Sequence, residues 1–171
     1  MFGKKGGKGA ASKRRPVLII DRTFGAPPKA VFEAWTDKAL VAKWWGPKGF
    51  TCQVHKLEAR PGGAIRLELR SPQGAVYPMA GEFREVDNAT KLEFMARAVY
   101  DKNNKPQLET TNTVIFKKFE GNSTSLTIHV VVNEFAQEAA AMLSGIEKVW
   151  MRSLDKLAGI LPRTPHDAAP A

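Results

Sequence analysis

Hydrophobic and polar residues alternate through most of the middle of the chain. In 65–69, for example, an isoleucine and two leucines are separated by an arginine and a glutamate. A period of two residues is typical of a β-strand with one buried face. Segments with strand-like patterns, separated by turn-forming residues, are 50–54, 65–69, 77–86, 91–100, 110–119 and 125–133. Because the connections are short, these segments predict an antiparallel meander.

A different pattern precedes the meander. A strand is predicted over 17–24, and Pro27 and Pro28 then end it and open a helix, since proline fits the first helical turn. Asp37 is a favourable N-cap for a second short helix, which ends before Gly46 and Pro47. The sequence therefore predicts two short helices after the first strand.

The last predicted element is a long helix over 134–161, a segment without proline. Counted from Phe135 at about 100° per residue, its apolar side chains fall within an arc of about 140°. They are Ala139, Met142, Leu143, Ile146, Val149, Trp150, Leu154, Leu157 and Leu161. Only the inner face of the meander is large enough to cover this stripe. The pattern thus predicts an α+β fold in which a curved antiparallel sheet of about six to seven strands wraps around the C-terminal helix.

Such a sheet encloses more space than its side chains fill, which predicts a cavity between sheet and helix. Gly62, Gly63 and Gly81 lie where the sheet could bend, because glycine permits bulges and kinks. Eight apolar or aromatic side chains are predicted to converge on that space as ligand-binding residues: Trp45, Phe50, Met79, Phe83, Phe94, Met142, Ile146 and Trp150. The same residues would also serve a filled core, since pockets and cores are both mainly apolar.

One strand leaves its orientation open. In 110–119, an inward phase that contains Thr113 and Ile115 fits the pattern as well as one that contains Val114 and Phe116.

Composition supports one domain with two tails. The chain has 171 residues, of which 43% are hydrophobic, enough for a single core. Its net charge is +9, and residues 1–16 carry six lysines and arginines without an acid. We expect 1–16 to be a disordered basic tail, 17–161 the folded domain and 162–171 a flexible tail. The basic tail is either solvated or in weak contact with nucleic acid or an anionic membrane surface.

Other global features indicate a soluble protein of a reducing compartment. No apolar run approaches the roughly 18 residues that cross a bilayer, and no apolar segment follows the basic N-terminus as in a secretory signal. A single cysteine, Cys52, cannot form an intramolecular disulfide. We therefore expect a cytoplasmic protein without a transmembrane segment; the sequence does not indicate its oligomeric state.

Catalytic and metal-binding motifs are absent from the sequence, which has no P-loop, no nucleophile elbow and no zinc-type spacing. His55 follows Val54 and His129 precedes Val130, and because both valines are predicted to face inward, both histidines are expected to be exposed. His166 lies in the predicted C-terminal tail. Cys52 is expected to be a small buried apolar group. We expect no metal, no cofactor and no catalytic residue.

Several polar strand residues are candidates for a polar anchor in the cavity. Glu68 and Glu93 take the polar phase of their strands, which favours solvent, as it does for Arg66 and Tyr77. The orientation of the Glu82 side chain is left open, because the glycine before it could shift the register of the strand. A carboxylate turned into an apolar cavity would have a raised pKa and suit general acid chemistry.

Five short motifs, in this order and spacing, resemble one family. They are Val31-Phe32-x-Ala34-Trp35-Thr36-Asp37, Trp44-Trp45-Gly46-Pro47, Arg60-Pro61-Gly62-Gly63, the single Gly81, and Trp150-x-x-Ser153-Leu154-Asp155-x-Leu157. Over 17–161 the chain resembles homologues of the activator of heat-shock protein 90 ATPase. That family belongs to the START and birch-pollen-allergen superfamily of polyketide cyclases and lipid-transport proteins. The resemblance implies a helix-grip fold with a hydrophobic ligand pocket.

The expected function is binding of a small apolar or amphipathic molecule, such as a lipid, without catalysis. The superfamily also implies a polyketide cyclase or dehydratase-like enzyme, in which a pocket orients a reactive chain and one or two polar groups assist proton transfer. The family name implies a third function, as a partner that activates the heat-shock protein 90 ATPase. An inward carboxylate or tyrosine would favour the enzyme, and a wholly apolar interior would weaken it.

Overall fold

The computed structural model describes residues 18–162, which form seven strands and three α-helices. In chain order these are β1 (Leu18–Phe24), α1 (Pro28–Thr36), α2 (Lys38–Trp44), β2 (Thr51–Leu57), β3 (Ala64–Arg70), β4 (Val76–Asp87), β5 (Lys91–Tyr100), β6 (Pro106–Phe119), β7 (Ser123–Phe135) and α3 (Ala140–Ile160). The predicted basic tail, and the predicted C-terminal tail after residue 162, lie outside the described residues.

All seven strands form one antiparallel sheet in the order β1-β7-β6-β5-β4-β3-β2. Strands β2 to β7 are neighbours in chain order, so the predicted meander is confirmed. The first strand pairs with the last, with Leu18 opposite Val130 and Phe24 opposite Thr124. The chain ends in the long helix that follows this sheet, and the predicted α+β helix-grip arrangement is confirmed.

Two glycines allow backbone segments to approach more closely than any side chain permits. A Cβ atom at Gly81 would lie 1.9 Å from the carbonyl oxygen of Met95 on β5, and one at Gly63 would lie 1.8 Å from the carbonyl oxygen of Glu58. Bulges interrupt the register beside Phe83 in β4 and elsewhere in the sheet. Glycine therefore stands where the sheet needs close backbone contact.

The two short helices form as predicted. Pro28 occupies the first turn of α1, where a missing N–H costs no hydrogen bond. The carboxylate of Asp37 accepts hydrogen bonds from the backbone N–H groups of Ala39, at 2.8 Å, and Leu40, at 3.1 Å. Asp37 is thus the N-cap of α2.

The structure decides the inward phase of β6. Val114 is fully buried and lies opposite Leu92 of β5 and Ile128 of β7, which are also fully buried. Phe116 shares that phase and packs edge-to-face on Phe32, with 5.2 Å between the ring centroids. The even-numbered residues of β6 from Leu108 to Phe116 therefore face the core.

The predicted start of the C-terminal helix at residue 134 is wrong. Strand β7 continues to Phe135, which pairs with Leu108, because β6 begins at Pro106 rather than at the predicted residue 110. A 3-10 turn over Gln137–Ala139 follows, and α3 begins at Ala140. The added strand pairs satisfy backbone groups that a helix would have had to satisfy internally.

The apolar stripe predicted for this helix is also shorter in the structure. Ala139 is fully buried but lies in the 3-10 turn, Met142 is 41% exposed, and Phe135, from which the stripe was counted, lies in β7 and is 54% exposed. The buried side chains of α3 all lie in its second half: Trp150, Ser153, Leu154 and Leu157.

Candidate functional site

Four tryptophans from three helical segments meet in the interior. The ring of Trp35, on α1, lies 4.8 Å from that of Trp44, 6.0 Å from that of Trp45 and 5.9 Å from that of Trp150, measured between centroids. Trp35 and Trp150 are stacked, with 24° between their planes. These are all four tryptophans of the chain. Trp150 follows the other three by more than 100 residues in the sequence, so its place in this tryptophan cluster is a product of the fold.

A cavity of about 20 Å³ lies beside the tryptophan cluster, between the α1–α2 pair and strands β2 to β5. Ten residues line it: Trp35, Val41, Trp45, Leu57, Ile65, Leu67, Met79, Phe83, Leu92 and Phe94. This volume is roughly that of one water-sized group, far below the several hundred Å³ of a typical ligand pocket. None of the ten lining side chains carries a charge.

Four of the eight predicted ligand-binding residues line this cavity: Trp45, Met79, Phe83 and Phe94. Two others lie nearby on α3. Trp150 contacts the ring of Trp45, with centroids 5.6 Å apart, and Ile146 is partly buried against the core. The structure therefore places the cavity against the short helices, with the C-terminal helix behind the tryptophan cluster, whereas the sequence predicted it between sheet and C-terminal helix.

The other two predicted residues are not in the lining. Phe50 lies in the α2–β2 loop, with its ring centroid 6.1 Å from that of Tyr77, which is 53% exposed. Met142 is 41% exposed on the first turn of α3, so the expectation that it turns inward is wrong. Its position follows from the late start of α3 described above.

Two neighbouring tryptophans differ in how their indole N–H groups are satisfied. Trp44 is fully buried, and its Nε1–H donates to the carbonyl oxygen of Ala34 at 2.8 Å. Trp35 is 3% exposed, and its Nε1 is the buried side-chain polar atom that has no hydrogen-bond partner in the described part of the chain. Buried polar groups of this kind are rare, because leaving one unpaired costs free energy.

A pair of polar side chains on β6, which the sequence did not single out, also faces the core. Thr110 is 6% exposed and Asn112 is 3% exposed, and the Nδ2 of Asn112 donates to the Oγ1 of Thr110 at 3.0 Å. Asn112 lies opposite Phe94, a cavity residue. The alternation that contains Val114 would have identified both residues, had the phase of β6 been known.

The C-terminal half of α3 is held to the α2–β2 loop by polar contacts. The backbone N–H of Gly46 donates to the Oγ of Ser153 at 3.1 Å. The Nζ of Lys156 donates to the carbonyl oxygens of Gly46 and Pro47, both at 3.4 Å, and of Phe50 at 3.3 Å. We call this set of contacts the loop clamp. It joins the tryptophan-glycine-proline motif to the last motif of the chain.

Cys52 lies close to the loop clamp. Burial raises the pKa of its thiol to about 11, although the nearby Lys156 ammonium acts in the opposite direction. Burial also lowers the pKa of Lys156. A thiol with so high a pKa is protonated at neutral pH and is a poor nucleophile.

The ionisable strand residues considered as polar anchors lie outside the cavity lining. Glu82, whose orientation the sequence left open, lies opposite Met95 and forms an ion pair with Arg84 at 3.4 Å. Glu68 lies 3.7 Å from His55, whose side chain is 43% exposed, which confirms the predicted exposure of that histidine.

The other described histidine, His129, belongs to no cluster of metal-ligating side chains among residues 18–162. His129 is half-buried on the outer side of the sheet, in register with Ile19, which is 54% exposed, and His166 lies outside the described residues. Across 18–162, no three histidine, cysteine or acidic side chains are grouped so that they could hold a metal ion. Within the same stretch, no helix combines the length and apolar character needed to cross a membrane.

A larger groove of about 510 Å³ lies at the far end of the sheet, where β5, β6 and β7 meet. Its charged residues are largely engaged with one another, since the Nε of Arg97 lies 3.1 Å from the Oε2 of Glu109. Asn133 donates to the other oxygen of Glu109 at 3.2 Å. This groove is polar, and it does not share the apolar lining of the cavity.

Comparison with solved structures shows where this architecture recurs. A protein of Arthrobacter aurescens superposes with a TM-score of 0.73 at 23% identity, over 90% of this chain and 92% of that one. A protein of Mycobacterium smegmatis gives a TM-score of 0.71 at 24% identity, over 87% and 92% of the two chains. The AHSA1 protein of Silicibacter pomeroyi gives 0.68 at 23% identity, over 83% and 94%. At these identities the likeness shows the fold alone.

Family membership comes from a second comparison. No curated protein matches the chain. The family model described as "Activator of Hsp90 ATPase homolog 1-like protein" matches residues 25–162, which include α1, α2, the loop clamp, the cavity lining and the whole of α3. The chain therefore belongs to the Activator of Hsp90 ATPase homolog 1-like family.

Proposed function

We propose that this protein binds a small apolar or amphipathic molecule in the cavity beside the tryptophan cluster, without transforming it. The observation that carries the proposal is the cavity lining, which consists of ten apolar and aromatic side chains from both sheet and helices. Such a lining, with a few polar groups nearby, is typical of sites for small hydrophobic ligands. The polar groups here are the Thr110–Asn112 pair and the Trp35 indole.

A ligand larger than one water-sized group requires the cavity to expand, and the first half of α3 is the segment best suited to yield. None of residues 140–149 is buried, whereas Trp150, Ser153, Leu154 and Leu157 are. The helix has no side-chain N-cap and no acidic residue in its first turn. Gly145, inside this half, lowers helix stability further.

The second half of α3 is held in place. Ser153 and Lys156 form the loop clamp, and Asp155 lies 2.8 Å from the guanidinium of Arg22 on β1. We infer that a ligand enters as the first half of α3, from which Ile146 packs against the core, moves away from that core while the clamped half stays. Segments that gate ligand entry are drawn from the less stable parts of a fold.

The proposal excludes catalysis because the lining lacks a group that could move a proton. None of its ten side chains titrates near neutral pH. Cys52 of β2, which packs against the core outside this lining, is protonated at that pH because burial raises its pKa to about 11. A cyclase or dehydratase would need at least one acid or base in contact with its substrate.

A titration with diphenylhexatriene, an uncharged hydrocarbon that fluoresces in apolar surroundings, tests the proposal. We expect a saturable increase in fluorescence with one site per chain. In the Val41→Ile variant an added methylene enters the cavity, and we expect the affinity to fall at least about fivefold. Val131→Ile is the matched control, because Val131 has the opposite phase to the fully buried Val130. Absence of saturation, or an equal loss in both variants, would refute the proposal.

A further inference from the structure

The unpaired indole N–H of Trp35 indicates that a ligand should supply a hydrogen-bond acceptor. Trp35 is 3% exposed, so bulk solvent does not reach its donor, and no acceptor among residues 18–162 reaches it. A buried donor without a partner is costly, and proteins retain one mainly where a bound group supplies the acceptor.

The surroundings of Trp35 restrict the kind of acceptor. Trp35 is itself one of the residues that line the cavity of about 20 Å³, but its Nε1 does not reach the cavity surface, so an acceptor reaches the donor only as the cavity expands around a ligand. No lysine, arginine or histidine lines it. A carboxylate or phosphate would be buried there without a counter-ion, which costs far more than one hydrogen bond returns.

The neighbouring tryptophan shows that an unpaired N–H is not a general consequence of packing in this cluster. Trp44 is fully buried in contact with Trp35, and its Nε1–H is satisfied by the Ala34 carbonyl at 2.8 Å. The fold therefore leaves a donor free at the one tryptophan of this pair that lines the cavity.

We propose that the ligand is an uncharged molecule with an oxygen acceptor, a ketone, aldehyde, ester or alcohol, and that this oxygen accepts a hydrogen bond from Trp35 Nε1–H. The apolar remainder of the ligand lies against the aromatic lining. The proposal rests on the proposed function and narrows it, because free fatty acids and plain hydrocarbons are disfavoured relative to neutral oxygenated compounds of the same length.

Competition against diphenylhexatriene tests this directly. The competitors are methyl nonyl ketone, undecane and undecanoate, which have the same number of carbon atoms. We expect the ketone to bind about tenfold more tightly than undecane, the gain from one hydrogen bond to a buried donor. Undecanoate should bind no more tightly than undecane. The advantage of the ketone should disappear in Trp35→Phe and remain in Trp45→Phe, which alters the same lining but keeps the Trp35 donor.

A second measurement uses the unaltered chain, so it does not depend on how the variants fold. In a protein with ¹⁵N-labelled indole groups, the four tryptophans give four side-chain N–H resonances. The ketone should move the Trp35 resonance to the field typical of a hydrogen-bonded indole, and undecane should not.

The outcomes separate the inference from the function on which it rests. If diphenylhexatriene binds but ketone and undecane compete equally, or if Trp35→Phe keeps the ketone's advantage, the acceptor role is refuted and apolar binding stands. An unchanged Trp35 resonance in the ketone complex also refutes it, and shows that a solvent molecule or nothing satisfies the donor. If neither the probe nor any competitor binds, both proposals fail.

Discussion

Ser153 and Gly46, 107 residues apart in sequence, are joined by a hydrogen bond of 3.1 Å between the glycine N–H and the serine Oγ. Both residues are buried. This bond connects the loop after α2 to the second half of α3. It explains why a small polar residue stands on the inward face of an otherwise apolar helix, where alanine or leucine would pack without a partner for the loop.

Replacing Ser153 with alanine should destabilise the protein by about 1 to 3 kcal/mol, because the buried Gly46 N–H would lose its acceptor. Urea unfolding followed by circular dichroism measures the change. Ser144→Ala is the control, since Ser144 is exposed on the same helix and donates only to the Ala141 carbonyl; its effect should stay within about 0.5 kcal/mol. Equal effects would mean that the loop contact contributes nothing.

The two neighbouring tryptophans should respond differently to the same change. Trp44→Phe and Trp35→Phe each remove a similar buried area, but only the first breaks a hydrogen bond, the one to the Ala34 carbonyl. We expect Trp44→Phe to cost about 1 kcal/mol more in the free energy of unfolding. A larger loss at Trp35 would contradict the assignment of its N–H as unpaired.

Gly145→Ala tests whether the first half of α3 opens to admit ligand. A Cβ at Gly145 would meet nothing within 4 Å, so alanine should stabilise the helix by about 0.5 to 1 kcal/mol. Opening would become rarer, and the association rate of diphenylhexatriene, followed by stopped flow, should fall about two- to fivefold.

Gly159→Ala is the matched control for that experiment, because its Cβ is equally unobstructed but it lies in the clamped half of α3. It should stabilise the helix to a similar degree and leave the association rate unchanged. If both variants slow association equally, or neither does, entry does not proceed through the first half of α3.

Gly81→Ala should destabilise the sheet strongly. The new Cβ would lie 1.9 Å from the Met95 carbonyl oxygen and 3.2 Å from the Ala96 Cα, both of which are backbone atoms that cannot rotate away. We expect a loss of at least about 3 kcal/mol in the free energy of unfolding, since strands β4 and β5 would have to separate. A loss below about 1 kcal/mol would show that the sheet relaxes easily at this bend.

The Cys52 thiol should react slowly at alkaline pH. Because burial raises its pKa from 9.0 to about 11, its thiolate fraction at pH 8 is about a hundredfold lower than that of an unfolded cysteine. Iodoacetamide alkylation of the native chain at pH 8 should therefore be about a hundredfold slower than in urea. Lys156→Met should slow it further, because the ammonium lowers the pKa of the thiol.

The same shift gives a pH dependence of stability. Between pH 9 and 11 the folded chain keeps the Cys52 proton that the unfolded chain releases, so the folded state binds more protons and its stability falls as pH rises. Lys156 acts in the opposite direction, since its pKa is lowered in the folded state. Unfolding at several pH values should show a weaker alkaline decline in Cys52→Ala than in the native chain.

The order of the elements and the family could be predicted from the sequence because both depend on short local patterns of residues. Two-residue alternation predicted the strands of the meander, and Asp37 predicted the start of α2, since an N-cap acts only on the turn after it. Gly81 was singled out as a bend, and the structure shows that it allows close backbone contact with β5.

The position of the cavity was decided by tertiary structure. The strands β6 and β7 pair beyond their predicted ends, which delays α3 and turns Met142 toward solvent. The inward phase of β6, and with it the Thr110–Asn112 pair, depends on which face its neighbours Leu92 and Ile128 present. Whether an indole N–H finds an acceptor, as at Trp44 but not at Trp35, depends on distances of a few ångströms between segments that only the folded chain brings together.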